Sequence, residues 1–463
     1  MLAILLLPCR ATITNQLCAC ARSQLDWSAD YRLYSHERVE PRLLFAQVLA
    51  RIHQRLPAQN ALVVAIDDTL IRKTGVHIDG VGWKRDPLGP KFQTNLVRGQ
   101  RYLQLSAAWP LPTGAARMLP IAFTHAPSAS KPPKNPTPDQ TLAHKEEQKQ
   151  RNLNQVAKTS IEQLRESLPA QRKLIIVGDG GYTNAAIIKN LPPNTTYIGR
   201  MRHDAVLHYK PVPIPAPVST TSSASTPAPA DSPAPAPAPP GRPRLYGEQA
   251  PSPEALHKDP NSPWRTLNAH AAGKHHDFKI KTSAPLLWRK TGAALPLRLM
   301  VIAPLGYRLR KGSKLLYRKA AYLICTDEQI SDEEYLQTYL WRWGIEVNFR
   351  DEKSELGVGE AQVRTAASNR TAPACAVAAY SFLWLAALEG AAEGIEPVPQ
   401  PKWRKPKKPE DLGTADLIKA LRSEQWAEQI EAQSFSHFKT GVPEEASTQK
   451  PRTSLPHTLL STA

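Results

Sequence analysis

Two apolar runs, each closed by aspartate, constrain this chain more than any other feature. Leu62 to Ile66 reads LVVAI and is followed at once by Asp67, Asp68 and Thr69, while Lys173 to Val177 reads KLIIV and is followed by Gly178, Asp179, Gly180 and Gly181. Short apolar runs bounded by turn residues predict buried strands of an α/β sheet, and the open ends of such strands are where sites form. Taken singly, each aspartate is an ordinary turn or cap residue. Asp67 and Asp68 are neighbours, and strand alternation lets only one of them point into a site.

A third acidic residue sits on a late predicted helix. Tyr339 to Lys353 reads YLWRWGIEVNFRDEK. At about 100° per residue, Arg342, Glu346 and Lys353 fall about 300°, 340° and 320° from Tyr339, so the four share a stripe about 60° wide. An amphipathic helix with a solvated charged face, carrying an Arg342–Glu346 pair at i,i+4, gives the same stripe. The order Asp, Asp, Glu, with two at strand ends and one on a late helix, is a more demanding pattern than any one of its members.

With these residues in view, the sequence resembles the insertion-sequence transposases of the DDE class over about residues 60 to 390. The family's late helix carries Tyr, two residues, Arg, three residues, Glu, six residues, Lys, and this chain matches at Tyr339, Arg342, Glu346 and Lys353. AIDDT resembles the family's first aspartate motif and VGDGGYT its second. Asp68 is taken as the first carboxylate because it directly precedes Thr69, with Asp67 as the alternative. The resemblance implies a ribonuclease H-like mixed sheet flanked by helices, with a β-rich insertion before the last catalytic helix. It also implies metal-dependent cleavage of DNA at element ends and strand transfer into target DNA. Asp68, Asp179 and Glu346 would hold two Mg²⁺ ions, with Mn²⁺ as a substitute, and Tyr339, Arg342 and Lys353 would bind DNA phosphates. A homodimer on DNA is expected from the family alone. The other readings are an inactive relic that only binds DNA and a ribonuclease H-like nuclease without strand transfer.

The chemistry needs these residue types. Two divalent ions about 4 Å apart stabilise the attacking and leaving oxygens of an in-line displacement. Mg²⁺ takes a few carboxylates and completes its shell with water and phosphate oxygens. Arginine offers a planar fork to phosphate, and lysine a point charge.

Along the chain, residues 1–58 read as an accessory segment with a helix near Arg42 to Leu56, and 59–204 as the first part of the core. Within it, Gln100 to Trp109 and Leu119 to Thr124 predict strands, Asp139 to Leu168 a polar helix, Thr183 to Asn190 a short helix, and Thr195 to Met201 a strand. Asp179 and Glu346 are separated by 166 residues, far more than a connection needs. Residues 205–327 therefore read as an insertion. In it, 211–240 is a Pro- and Ala-rich stretch too poor in core-forming residues to pack. Residues 241–327 are β-rich, with strands at Asp277 to Thr282, Leu297 to Ile302 and Ala321 to Cys325. Arg308, Arg310, Lys311, Lys314, Arg318 and Lys319 flank a turn there, and read equally as a phosphate grip or as a lysine-protected edge. Residues 328–391 complete the core, with Ala372 to Ala387 as a core helix, and 392–463 form a basic tail including Lys402 to Lys408.

Composition agrees with this organisation. Lys and Arg number 59 against 41 Asp and Glu, a net charge of +18, which points to a polyanion such as nucleic acid. No apolar run is long enough to predict a membrane span. The opening MLAILLLP is short and follows no basic residue, so it reads as an irrelevant start rather than a signal peptide. Five cysteines form neither a disulfide framework nor paired zinc spacing, which suits a reducing cytoplasm with the protein on the nucleoid when bound to DNA. Cys9, Cys18 and Cys20 lack a fourth ligand. The His275, His276, Asp277 group reads as surface. No GxxxxGK[ST] loop occurs, so no ATP-driven step is expected.

Overall fold

The structure is a computed structural model, and it describes residues 2–432 except 21, 87–88, 91–92, 94, 130–131, 212–243, 309–311, 395–397, 399–402 and 404–411. The bulk of the expected Pro- and Ala-rich stretch, Arg310, Lys311 and almost all of the basic run at 402–408 lie outside the described residues. The chain forms two compact units. One takes the residues up to Arg200, the segment Thr266–Phe278 and those from Ile330 on; the other takes Met201–Arg265 and Lys279–Gln329.

In the first unit, helices α1 (Leu2–Leu6), α2 (Ile13–Ala19), α3 (Ser28–Ser35) and α4 (Pro41–Arg55) precede the sheet. The opening apolar run is part of the folded core: Ile4, Leu5 and Leu7 are buried, and α1 packs on α2. Six strands follow, β1 (Leu62–Arg72), β2 (Gly82–Arg85), β3 (Leu96–Pro110), β4 (Ala116–His125), β5 (Leu174–Gly178) and β6 (Thr195–Arg200). β1 runs parallel to β5, which runs parallel to β6, while β3 is antiparallel to β1, β2 and β4. Mixed pairing with β1 and β5 at the centre is the ribonuclease H-like arrangement. All five residues of β5 are buried, as a parallel strand covered on both faces requires.

The sheet carries helices α5 (Pro138–Gln150), α6 (Leu153–Glu166) and α7 (Ala185–Ile188) between β4 and β6. The polar stretch expected as one helix is thus two. Asn152 breaks it, its side chain accepting from the backbone N–H of Asn154 to cap α6, as Asn favours a cap over a helix interior. α6 buries Ala157, Ile161 and Leu164 at helical spacing, whereas α5 buries nothing. Arg172 fixes the start of β1 by donating to the carbonyls of Leu56, Pro57, Ala58 and Asn60.

In the second unit lie β7 (His208–Tyr209) and α8 (Pro253–Lys258). Next, β8 (Arg265–Ala271) and β9 (Lys274–Trp288) form a hairpin, of which Thr266–Phe278 belongs to the first unit. Ala272 and Gly273 both have positive φ at its turn, as a two-residue hairpin of the primed kind demands. β10 (Gly292–Ile302) pairs with β9 and with β13 (Ala321–Cys325), and β11 (Gly306–Tyr307) pairs with β12 (Leu316–Tyr317). The β-rich insertion before the late helices is therefore present. Lys281, buried, donates to the carbonyls of Leu256, His257 and Asp259 at the end of α8 and stacks over Trp264.

The first unit closes with α9 (Asp332–Trp341), α10 (Gly344–Ser354), α11 (Ala366–Ala392) and α12 (Thr414–Ala432). α11, which contains the core helix expected at Ala372 to Ala387, is long and apolar enough by length and composition alone to cross a bilayer. It is the core helix instead, packed on β4 and α4 with most of its length buried. α10 is bolted to the sheet by a buried polar chain: Gln104 donates to Glu352 at 3.0 Å, and Asn348 links Ser106 to Tyr380. Gly344 lets α10 approach β4, since a Cβ there would stand 2.5 Å from Met118 Cγ.

Candidate active site

The apolar run of β1 ends at Ile66, but the strand does not. It continues through both aspartates to Arg72 because β3 pairs with it as far as Arg72. What stops at Ile66 is the parallel partner, since Ile66 stands opposite Gly178, the last residue of β5. Asp67 therefore lies beside the first residue past β5, which is Asp179. Alternation puts Asp67 on the sheet face of its cross-strand partner Gln104, whose side chain reaches α10. Asp68 projects from the other face.

The signature stretch is not one helix. α9 ends at Trp341 and α10 begins at Gly344, with Tyr339 on α9, Arg342 as its C-cap, and Glu346 and Lys353 on α10. The junction is a tightened turn, in which the N–H groups of Arg342, Trp343, Ile345 and Glu346 each donate to the carbonyl three residues back. Such a turn changes the phase only locally, so Arg342 and Glu346 still meet.

Arg342 joins two of the candidate carboxylates. Its Nη1 donates to Asp67 Oδ2 at 3.2 Å and its Nη2 to Glu346 Oε1 at 2.9 Å. With its side chain only 12% exposed, the fork is held in a partly dry setting where charge interactions are strong. Burial opposes the Arg342 cation, but Tyr339, Asp67 and Glu346 outweigh it and raise its pKa. Asp67 is pushed up to about 7, first by burial and then by the charge of Asp179, against the pull of Arg342 and of the Asp68 N–H that donates to it.

Asp179 sits on a turn, its Oδ1 accepting from Gly181 N at 2.7 Å and from Tyr182 N at 3.4 Å. Asp68 accepts from the Tyr182 hydroxyl at 2.8 Å and is ion-paired to Arg101 at 3.2 Å. Lys353 is exposed at the last turn of α10 and forms no hydrogen bond or ion pair among the described residues. The structure thus brings Asp67, Arg342 and Glu346 into contact, with Tyr339 and Asp179 acting on them electrostatically. It sets Asp68 on the opposite face and leaves Lys353 facing solvent.

Asp67, Asp179 and Glu346 offer only hard carboxylate oxygens, the donor type that Mg²⁺ and Mn²⁺ take. Burial first, and then the charge of Asp179, oppose ionisation of Asp67, and a divalent ion beside these carboxylates would favour the ionised form. Among the described residues no group of three or more His, Cys, Asp or Glu stands close enough together to hold a metal ion. Protein carboxylates would therefore supply part of a shell that water and phosphate complete.

Comparison with known families shows which family the chain belongs to. A family model described as DDE superfamily endonuclease matches residues 3–239, and one described as transposase DDE domain matches residues 142–382, each more than half of the chain. The chain belongs to the DDE transposases. The two matches overlap across Asp179, the first containing Asp67 and Asp68 and the second Tyr339, Arg342, Glu346 and Lys353. No curated protein matches this DDE transposase. Arg101 and Tyr182 escaped the sequence reading although Tyr182 lies inside the VGDGGYT motif; only their contacts with Asp68 mark them out. Trp343, at the helix junction beside Arg342, is 57% exposed, and its spacing alone gave no reason to single it out.

Proposed function

We propose that this DDE transposase cleaves DNA at the ends of its own element and joins the freed ends to target DNA, with Asp67, Asp179 and Glu346 as its metal-holding carboxylates. The observation that carries this is the Arg342 fork, which ties Asp67 to Glu346 on the face shared with Gln104 and α10. Asp67 replaces Asp68 in the set because Asp67 feels the charge of Asp179 and is tied to Glu346 through Arg342, whereas Asp68 projects from the other face toward Tyr182 and Arg101. When bound, two Mg²⁺ or Mn²⁺ ions would supply the charge that stabilises the attacking and leaving oxygens. Arg342, released in part from its carboxylates, would take a phosphate oxygen through the same planar fork. Tyr339, next to it, would donate to phosphate, and Lys353 would hold the backbone as a point charge. Trp343 presents an exposed ring on which a base would stack. The net charge of +18 supports a DNA partner. Two element ends have to be brought together, which favours a homodimer on DNA, acting in the cytoplasm on the nucleoid.

Labelled linear DNA carrying the element ends, incubated with Mg²⁺ or Mn²⁺, tests the reading. Wild type is expected to cut at the element boundary and join the free 3′ end to a second DNA. Glu346→Gln and Asp67→Asn are expected to lose at least about a thousandfold in cleavage, and Asp68→Asn only about tenfold. Comparable loss in both aspartate variants would remove the distinction between them. The endonuclease description of the first family match favours one further reading, a nuclease that cuts without joining; cleaved but unjoined ends would be its mark.

A further inference from the structure

We infer that Tyr182 is a positioning residue for the Asp179 carboxylate, anchored to β1 by Asp68. The inference rests on the reading of Asp179 as a metal-holding carboxylate. Asp179 stands one residue beyond the ladder between β1 and β5, so its place is set by the turn that follows. That turn contains Gly180 and Gly181, which have no side chains to pack, and glycine leaves the backbone free to pivot. A Cβ on Gly181 would press on Asp179 Oδ1 at 3.1 Å.

Tyr182 removes that freedom. Its ring is 2% exposed, and a buried phenol must find a partner for its hydroxyl. That partner is Asp68 Oδ1 at 2.8 Å, while Asp68 Oδ2 is ion-paired to Arg101 on β3 at 3.2 Å. The backbone N–H groups of Gly181 and Tyr182 in turn face Asp179 Oδ1, and among the described residues no hydrogen bond reaches its Oδ2. Arg101, Asp68, Tyr182 and Asp179 thus form one chain of contacts from β3 across β1 to the turn after β5. The adjacent aspartates of β1 divide the work: Asp67 faces Arg342, and Asp68 holds the turn that carries Asp179.

Calorimetric titration of the full chain with Mn²⁺, without DNA, tests this. Tyr182→Phe deletes only the hydroxyl and is expected to weaken Mn²⁺ binding about tenfold, as loss of an outer partner does. Its circular dichroism spectrum is expected to match that of wild type. Asp68→Ala removes the acceptor and is expected to do the same, and the double variant to be no weaker than the worse single, because both changes break one contact. Binding within about twofold of wild type in Tyr182→Phe, or losses that multiply in the double variant, would overturn the inference. Asp179→Asn separates the two levels. If it leaves Mn²⁺ binding intact, the metal reading fails and the inference with it; if it abolishes binding while Tyr182→Phe does not, the inference alone fails.

Discussion

Arg342 is the residue on which the geometry turns, because one guanidinium spans Asp67 and Glu346 with two separate N–H groups. Lysine keeps the charge but offers a single point donor, which cannot hold both carboxylates in one fixed relation. Arg342→Lys is therefore expected to lower the cleavage rate about a hundredfold, the scale of a misplacement of about 1 Å, while leaving DNA affinity within about threefold. Single-turnover cleavage beside a binding titration checks it, and a rate above a third of wild type would show the fork to be dispensable. The contact between Arg342 and Glu346 is legible in the sequence because their spacing is local. The sequence favours Asp68 over Asp67 because the residue before Thr69 is the only local cue. Which aspartate shares the face of Gln104 and α10 depends on the pairing of β1 with β3, which a local pattern does not contain.

At the level of elements, the legible parts were those whose signal is continuous: the apolar runs of β1, β5 and β10 and the core helix α11. The extension of β1 past Ile66 was hidden because DDTLIR is mostly polar and is held in the sheet by pairing with β3, about thirty residues away. The break between α9 and α10 was hidden because Arg342 and Trp343 are tolerated in helices. The buried contact that docks α10 offers a test with a definite sign. Glu352 is pushed up to about 8 by burial, against the hydrogen bond from Gln104. The native chain then keeps a proton that the unfolded chain releases above the ordinary carboxylate value, about 4.3. That contribution is fully present below about pH 4.3 and is lost as the pH rises toward about 8, so stability falls across this window. Glu352→Gln stays neutral while keeping an acceptor for Gln104. Its melting temperature relative to wild type is expected to rise steadily between about pH 5 and about pH 8, and a flat difference would show Glu352 to be ionised in the native chain.

For the whole molecule, the excess of positive charge has a consequence that does not depend on any one contact. A surface that neutralises phosphates releases condensed counterions, so the logarithm of the binding constant falls linearly with the logarithm of salt concentration, by about 0.9 per phosphate on duplex DNA. A chain of net charge +18 is expected to lose at least about a hundredfold in affinity for element-end DNA between about 50 and about 200 mM salt. Within that total, Lys353 is informative because it is exposed and, among the described residues, has no ion-pair partner to give up. If it meets a phosphate, Lys353→Ala should reduce the slope by about one contact and weaken binding to specific and unrelated DNA alike. Fluorescence anisotropy over a salt series, with wild type and variant side by side, reads both quantities. An unchanged slope in the variant would place Lys353 off the DNA path, and a shallow slope in wild type would mean that the positive charge is not spread along a phosphate backbone at all.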